Sequence, residues 1–293
     1  MSRLYQKGRI VEIIRATRYA GFCGGVKRAW KLATEEAAST SGPVFISGKL
    51  IHNTPAMQEL EEKGVQILDL SQADGVQPGA AFILRAHGEG PAVYERAQQL
   101  GLRLIDGTCG IVRNVQKRAR ALEEQGFQVV LFGHRNHPEA RATVAHTKHG
   151  MIIESAGEAA QLEHYPKIAA IAQTTSSGRE YVEGCRILRS KCDLFEDQGH
   201  ICDFTQRAQE EATGIARQVD VMVVVGGRDS SNTRRLVEVC SEHCPTYQVE
   251  TAAELRADWF TDATRVGVTA GASTRDRDIE AVVAQLAGMG AGF

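Results

Sequence analysis

The stretch Asp106-Gly-Thr-Cys-Gly-Ile-Val-Arg-Asn-Val115 decides how this chain is read. It sets Cys109 between an apolar run, Leu102 to Ile105, and a basic amphipathic run that begins at Val112. That pattern describes a strand passing into a helix. A thiol at such a corner lies near backbone N–H groups and the positive end of the helix dipole. Both favour the thiolate, the form that attacks electrophiles or binds metal. Two more cysteines sit in comparable places, Cys23 in Gly21-Phe-Cys-Gly-Gly-Val26 and Cys202 in Ile201-Cys-Asp-Phe-Thr205.

Working outward from these cysteines, the same order of elements recurs. A strand over residues 8–15 precedes Cys23, and a helix from about Val26 to Ala38 follows it. The strand Pro43 to Leu50 then ends in Ile51-His-Asn-Thr-Pro55, and the strand Ala81 to Leu84 ends in Arg85-Ala-His-Gly88. After Cys109, the strand Val129 to Phe132 ends in Gly133-His-Arg-Asn-His-Pro-Glu139, and Ile168 to Ala172 ends in Gln173-Thr-Thr-Ser-Ser177. After Cys202, the strand Val221 to Val225 ends in Gly226-Gly-Arg-Asp-Ser-Ser-Asn232, and Val266 to Thr269 ends in Ala270-Gly-Ala-Ser273. The intervals agree: 29 residues from Cys23 to His52, 28 from Cys109 to His137, and 29 from Cys202 to Ser231. The second set is 64, 65 and 71 residues, to His87, Thr174 and Ser273.

Three similar α/β lobes with mainly parallel sheets are expected, because short Val- and Ile-rich strands alternate with helices. The boundaries fall at 24–109 for the first lobe, 110–200 for the second and 201–285 for the third. Residues 1–23 pack near lobe 3, and 286–293 form a C-terminal tail. In such sheets ligands gather at the carboxyl ends of strands. Lobes arranged about a pseudo-threefold axis would aim all six polar strand ends at one place.

Composition narrows the function classes. With 293 residues, 43% hydrophobic and 24% charged, the chain can bury a large core and is not a disordered polymer. A net charge of −2 with dispersed Lys and Arg gives no nucleic-acid footprint. No apolar run approaches a membrane span and the N-terminus lacks a signal-peptide core, so a cytoplasmic protein is expected. Seven cysteines in a reducing compartment do not make a disulfide framework. Cys185, Cys192, Cys240 and Cys244 fall in helical-looking, charge-rich stretches and read as structural thiols. The one-turn spacing of Cys240 and Cys244 admits a zinc pair, but no second ligand pair stands nearby.

Three single cysteines, one per lobe, suit an iron–sulfur cluster held by three thiolates with one iron left open. Glycines beside the first two, Gly21, Gly24, Gly25, Gly107 and Gly110, let backbone approach a bulky inorganic core. Three buried structural cysteines remain the alternative. The donors His52, His87, His137, Thr174, Ser230, Ser231, Asn232 and Ser273 suit phosphate oxygens, and Ser230-Ser-Asn232 opens a helix as an anion site would. Each motif singly also fits ordinary helix capping, but repetition at six strand ends favours an anionic ligand, a diphosphate best. Glu139 is the one carboxylate within these motifs. It is either a protonated donor beside the ligand or a first-turn Glu complementing a helix dipole.

These residues resemble the IspH/LytB family of 4-hydroxy-3-methylbut-2-enyl diphosphate reductases. The likeness rests on Gly-Phe-Cys23-x-Gly-Val with Lys27-Arg-Ala29, Ile51-His-Asn53, Arg85-Ala-His-Gly88, Asp106-x-Thr-Cys109, His137-Pro-Glu139, Gln173-Thr-Thr175, Ile201-Cys202, Gly227-x-x-Ser-Ser-Asn232 and Gly267-Val-Thr-Ala-Gly-Ala-Ser273. It implies a trefoil of three lobes around a 4Fe-4S cluster on Cys23, Cys109 and Cys202. It further implies reductive removal of the substrate hydroxyl with two electrons and two protons, giving isopentenyl and dimethylallyl diphosphates in the non-mevalonate isoprenoid pathway. By the same resemblance His52, His87, Ser230, Ser231, Asn232 and Ser273 hold the diphosphate and His137 reaches the ligand. Thr174 lies near the substrate hydroxyl, Glu139 relays protons, and ferredoxin or flavodoxin supplies electrons. The chain departs from the family pattern at Gly107, Gly110, Ala208 and Arg275, beside cluster or phosphate motifs. Two other readings are a paralogue using the same cluster on another substrate and a non-catalytic iron–sulfur or phosphometabolite sensor.

Overall fold

A computed structural model describes residues 12–73 and 75–291. In chain order, β1 (Glu12–Arg15) leads through the Cys23 loop to α1 (Gly24–Ser39), β2 (Val44–Ile46), α2 (Thr54–Glu62) and β3 (Val65–Ile67). Then come β4 (Ala81–Leu84), α3 (Pro91–Gln99) and β5 (Arg103–Asp106). A second series has α4 (Gly110–Glu124), β6 (Gln128–Phe132), α5 (Pro138–Val144), β7 (Met151–Ile153) and α6 (Ala156–Gln161), then β8 (Tyr165–Ala172), α7 (Gly178–Leu188) and β9 (Cys192–Asp197). The third has α8 (Asp203–Ala216), β10 (Val221–Val225), α9 (Ser231–Ser241), β11 (Thr246–Val249), β12 (Arg265–Ala270) and α10 (Asp276–Ala291).

The strands form three four-stranded sheets, ordered β3-β2-β4-β5, β7-β6-β8-β9 and β11-β10-β12-β1. Every pairing is parallel. Reading each sheet by the order in which its strands arise gives one topology three times: second, first, third, fourth. In the last sheet the chain's own N-terminal strand, β1, takes the fourth place, with Glu12 opposite Arg265 and Arg15 opposite Val268. The topological switch in each sheet lies between its first and third strands, where loops leave in opposite directions and open a crevice at the carboxyl edge.

Burial explains why these stretches are strands. In β10 all five residues are buried, and the pleat sends alternate side chains to opposite faces. Val221, Val223 and Val225 pack with Val266, Val268, Ile279 and Val282, whereas Met222 and Val224 pack with Ala212, Ile215 and Leu236. Each such buried side chain contributes about 2 kcal/mol. The second sheet is clothed in the same way, with Val130 and Phe132 on one face and Val129 and Leu131 on the other. In α4, Val112, Val115, Ala119 and Leu122 form the buried stripe expected of an amphipathic helix.

Several expectations are corrected. Of the strand read over 8–15, residues 8–11 lie outside the described residues. The strand read to Leu50 stops at Ile46, since Gly48 adopts φ +148° and turns the chain. The edge strands β7, β9 and β11 were not anticipated; β7 is apolar but only three residues long, and β9 and β11 are partly exposed and mix polar with apolar residues. Cys192 opens β9 instead of lying in a helix, and Cys244 follows α9. The segment expected as a tail from 286 continues α10 through Ala291, with Leu286 fully buried. Residues 292–293 lie outside the described residues.

Within the described residues, 12–24, 52–56 and 203–291 form one compact unit, and 25–51 and 57–202 the other. No described helix is long and apolar enough to cross a membrane.

Candidate functional site

The expected site residues divide evenly between the two units. The first unit holds Cys23, His52, Ser230, Ser231, Asn232 and Ser273; the second holds Cys109, Cys202, His87, His137, Glu139 and Thr174.

In the first unit the polar residues gather at the carboxyl ends of β10 and β12. Ser230 caps α9 by accepting from Thr233 N at 3.3 Å. The first turn behind it is buried: Ser231 is 6% exposed, Asn232 4% and Thr233 fully enclosed. A solvent-facing helix cap does not look like this. Both amide atoms of Asn232 are buried and find no hydrogen-bond partner among the described residues. Such an orphan costs about 1–3 kcal/mol, so a group that satisfies it is strongly favoured. The β12 loop abuts this turn so closely that a Cβ on Gly271 would lie 2.1 Å from Thr233 Oγ1.

Cys23 and His52 join the same assembly through backbone contacts. Cys23 N donates to Ala272 O at 3.1 Å. Ser273 Oγ donates to His52 O at 3.3 Å. Gly227 lies beneath that carbonyl, where a Cβ would come within 2.2 Å of His52 O. A side chain at 227 would therefore push the His52 carbonyl away.

In the second unit a continuous run of contacts joins Cys109 to Cys202. Cys109 caps α4, and its N–H donates to Ala86 O at 3.0 Å, beside His87. The His87 and His137 rings meet edge to face, 5.3 Å between centroids. His137 caps α5, its Nδ1 accepting from Glu139 N at 3.2 Å. That bond makes Nε2 the protonated nitrogen of the neutral ring. Glu139 Oε1 accepts from Thr174 N at 2.6 Å and Oε2 from Thr174 Oγ1 at 2.8 Å. Thr174 O in turn accepts from Cys202 N at 3.0 Å.

Glu139 is 3% exposed. Burial pushes its carboxyl up from 4.5 to about 7, although both Thr174 hydrogen bonds favour the anion. The desolvation of a lone buried charge outweighs two good donors here. A carboxyl balanced near neutral pH can hold and release a proton, which a first-turn Glu at a helix surface does not do.

The remaining cysteines are of another kind. Burial pushes the Cys185 thiol up to about 11 and the Cys240 thiol up to about 12. Cys240 is fully enclosed among Ala212, Met222 and Leu236, so the Cys240–Cys244 pair is core and not a zinc site. Cys23, Cys109 and Cys202 are half-buried thiols outside any disulfide, in loops after the fourth strand of each sheet, β1, β5 and β9. Beside Cys109, Gly25 leaves room that a side chain would take: a Cβ there would lie 2.8 Å from Cys109 Sγ.

Two departures from the family pattern are now distinguishable. A Cβ on Gly107 would meet Leu84 O at 2.2 Å, so this backbone admits only glycine there. Nothing lies within 4 Å of a Cβ on Gly110. Sequence reasoning gave no role to Asn53, Asp278 or Arg275. Their signal is tertiary: Asn53 Nδ2 donates to Asp278 Oδ2 at 3.3 Å, and Arg275 forms a bidentate pair with Asp278.

Known proteins resemble this chain along nearly its whole length. The family model described as LytB protein matches residues 13–287. A 4-hydroxy-3-methylbut-2-enyl diphosphate reductase of Geobacter sulfurreducens is 41% identical over 281 residues, covering 94% of this chain and 97% of the relative. A solved structure of (E)-4-hydroxy-3-methyl-but-2-enyl diphosphate reductase, the terminal enzyme of the non-mevalonate pathway, is 36% identical. It covers 94% of this chain and 99% of its own, with a TM-score of 0.69. The E-1-hydroxy-2-methyl-but-2-enyl-4-diphosphate reductase from Plasmodium falciparum is 26% identical, covers 94% of this chain and 87% of its own, and gives a TM-score of 0.87.

Proposed function

The chain belongs to the LytB protein family, and we propose on that premise that it reduces 4-hydroxy-3-methylbut-2-enyl diphosphate. In this reaction the carbon–oxygen bond to the hydroxyl breaks with two electrons and two protons. Water leaves, and the allylic fragment becomes isopentenyl or dimethylallyl diphosphate. The observation that carries this reading is Glu139, an enclosed carboxyl with its proton poised at about 7 and its oxygens on Thr174. A sensor that only bound the diphosphate has no need of such a group.

Cys23, Cys109 and Cys202 are the thiols we assign to the family's iron–sulfur cluster. Their half-buried state, their matching places after β1, β5 and β9, and the room left by Gly25 beside Cys109 Sγ fit such a group. A 4Fe-4S cluster held by these three thiolates would supply the electrons one at a time.

The side chains do the rest. His52, Ser230, Ser231, Asn232 and Ser273 would hold the diphosphate, and His87 is a further donor assigned to it by the family resemblance. The buried, unpartnered amide of Asn232 supports this. His137, with its proton on Nε2, would donate to the ligand. Glu139 protonated on Oε2 must donate to Thr174 Oγ1, because the Thr174 N–H at Oε1 cannot reverse. The Thr174 hydroxyl proton then turns outward to the departing oxygen, which leaves as water. A second proton ends on carbon. Electrons would come from a ferredoxin or flavodoxin in the cytoplasm.

Anaerobically reconstituted protein, given a reduced donor and the hydroxylated diphosphate, is expected to form both five-carbon diphosphates. An intact cluster with neither product refutes this reading in favour of a paralogue acting on another substrate.

A further inference from the structure

The segment 52–56 runs from the loop after β2 into the first turn of α2; β2 and the rest of α2 belong to the second unit, yet this segment packs as part of the first. Two hydrogen bonds hold it there. Ser273 Oγ donates to His52 O, and Asn53 Nδ2 donates to Asp278 Oδ2 at 3.3 Å, while Gly227, without a Cβ, leaves room for the His52 carbonyl. Asn53 is 4% exposed, and its Oδ1 also accepts from Ala56 N at 2.8 Å, fixing the start of α2. One amide side chain thus ties the residue after His52 to both α2 and α10.

Asp278 depends on Arg275. Arg275 Nε donates to Oδ2 and the guanidinium NH2 to Oδ1, each at 2.8 Å. The two side chains are only 10% and 13% exposed. A carboxylate so far withdrawn from water is held in place by a close, matched cation. Arg277 is no substitute, since its Nε stands 4.0 Å away and its side chain is largely exposed.

We infer that Arg275 is a positioning residue for His52, acting through Asp278 and Asn53. Without the guanidinium, Asp278 turns outward to water and Arg277 and releases Asn53 Nδ2. The inference rests on the reading of His52 as a diphosphate ligand for its functional consequence, but not for its structural one.

Cluster-loaded wild type, Arg275→Ala, Arg275→Lys, Asp278→Ala and the double variant Arg275→Ala/Asp278→Ala test it under anaerobic conditions. Hydrogen exchange of the peptide spanning 52–56 reads the clamp. Titration with inorganic diphosphate, and KM against kcat, read its use. Arg275→Ala is expected to speed exchange in 52–56 and to weaken diphosphate binding and raise KM about tenfold. Exchange in β10, the iron content and kcat stay at wild-type levels. Arg275→Lys, which keeps charge but loses the two-point contact, falls between. The double variant is no worse than Asp278→Ala, because the two act in series. Unchanged exchange in 52–56, or additive effects in the double variant, overturns the inference. If exchange responds but wild type binds no diphosphate, the clamp stands and the ligand reading of His52 falls.

Discussion

Replacing Glu139 by Gln removes an ionisable group at nearly constant shape and tests the proton-holding role directly. The carboxyl is enclosed and pushed up from 4.5 to about 7 by burial, against two hydrogen bonds from Thr174. At about 1.4 kcal/mol for each pH unit between those values, keeping Glu139 ionised in the fold costs about 3 kcal/mol. The value is raised in the folded protein, so the stabilisation belongs to the neutral acid. It is fully present below 4.5 and is lost as pH rises through about 7. The Gln side chain stays neutral throughout: its carbonyl accepts from Thr174 N, and its amide donates to a rotated Thr174 Oγ1. Wild type should therefore lose about 3 kcal/mol relative to Glu139→Gln between about pH 4.5 and pH 8. The assay is hydrogen exchange of the β6 and β8 amides, which reports the stability of the unit that carries Glu139 without assuming that the whole chain unfolds at once. Loss of a proton donor should also lower turnover about 10²- to 10⁴-fold with little change in KM. A stability difference that is flat with pH refutes the raised carboxyl, and turnover within about tenfold of wild type refutes the donor role.

Four other substitutions separate ligand binding, cluster assembly and backbone fit. Asn232→Leu removes two buried amide atoms that lack partners, so it should raise the unfolding midpoint of the ligand-free protein while raising KM at least about tenfold; the two are measured by thermal melting and steady-state kinetics. Gly25→Ala places a Cβ 2.8 Å from Cys109 Sγ and should lower bound iron and visible absorbance while the helical circular dichroism stays intact. Gly107→Ala drives a Cβ to 2.2 Å from Leu84 O, which is backbone and cannot step aside, so a loss of about 1–3 kcal/mol is expected in urea unfolding. Gly110→Ala, in open space at the start of α4, should instead gain about 0.5–1 kcal/mol in the same measurement.

The sequence by itself carried the threefold repeat, because hydrophobic periodicity and cysteine spacing are local properties of the chain. It marked β10, β12, β6 and β8, whose buried stretches are largely apolar, and it marked the strand ends that bear His52, His87, His137, Thr174, Ser231 and Ser273. It missed β9 and β11, since an edge strand with one face toward solvent need not be apolar, and β7, whose three apolar residues are too few to show a period. Tertiary structure alone decided the matters that depend on what lies across a gap. Two oxygens on Thr174 and an enclosed pocket distinguish Glu139 from any other first-turn Glu, and no spacing rule records desolvation. Gly107 is obligatory and Gly110 is not, because Leu84 O lies against one and nothing lies against the other. Asn53 and Arg275 meet through Asp278 although more than two hundred residues of chain separate them, and only folding brings that amide and that guanidinium to one carboxylate.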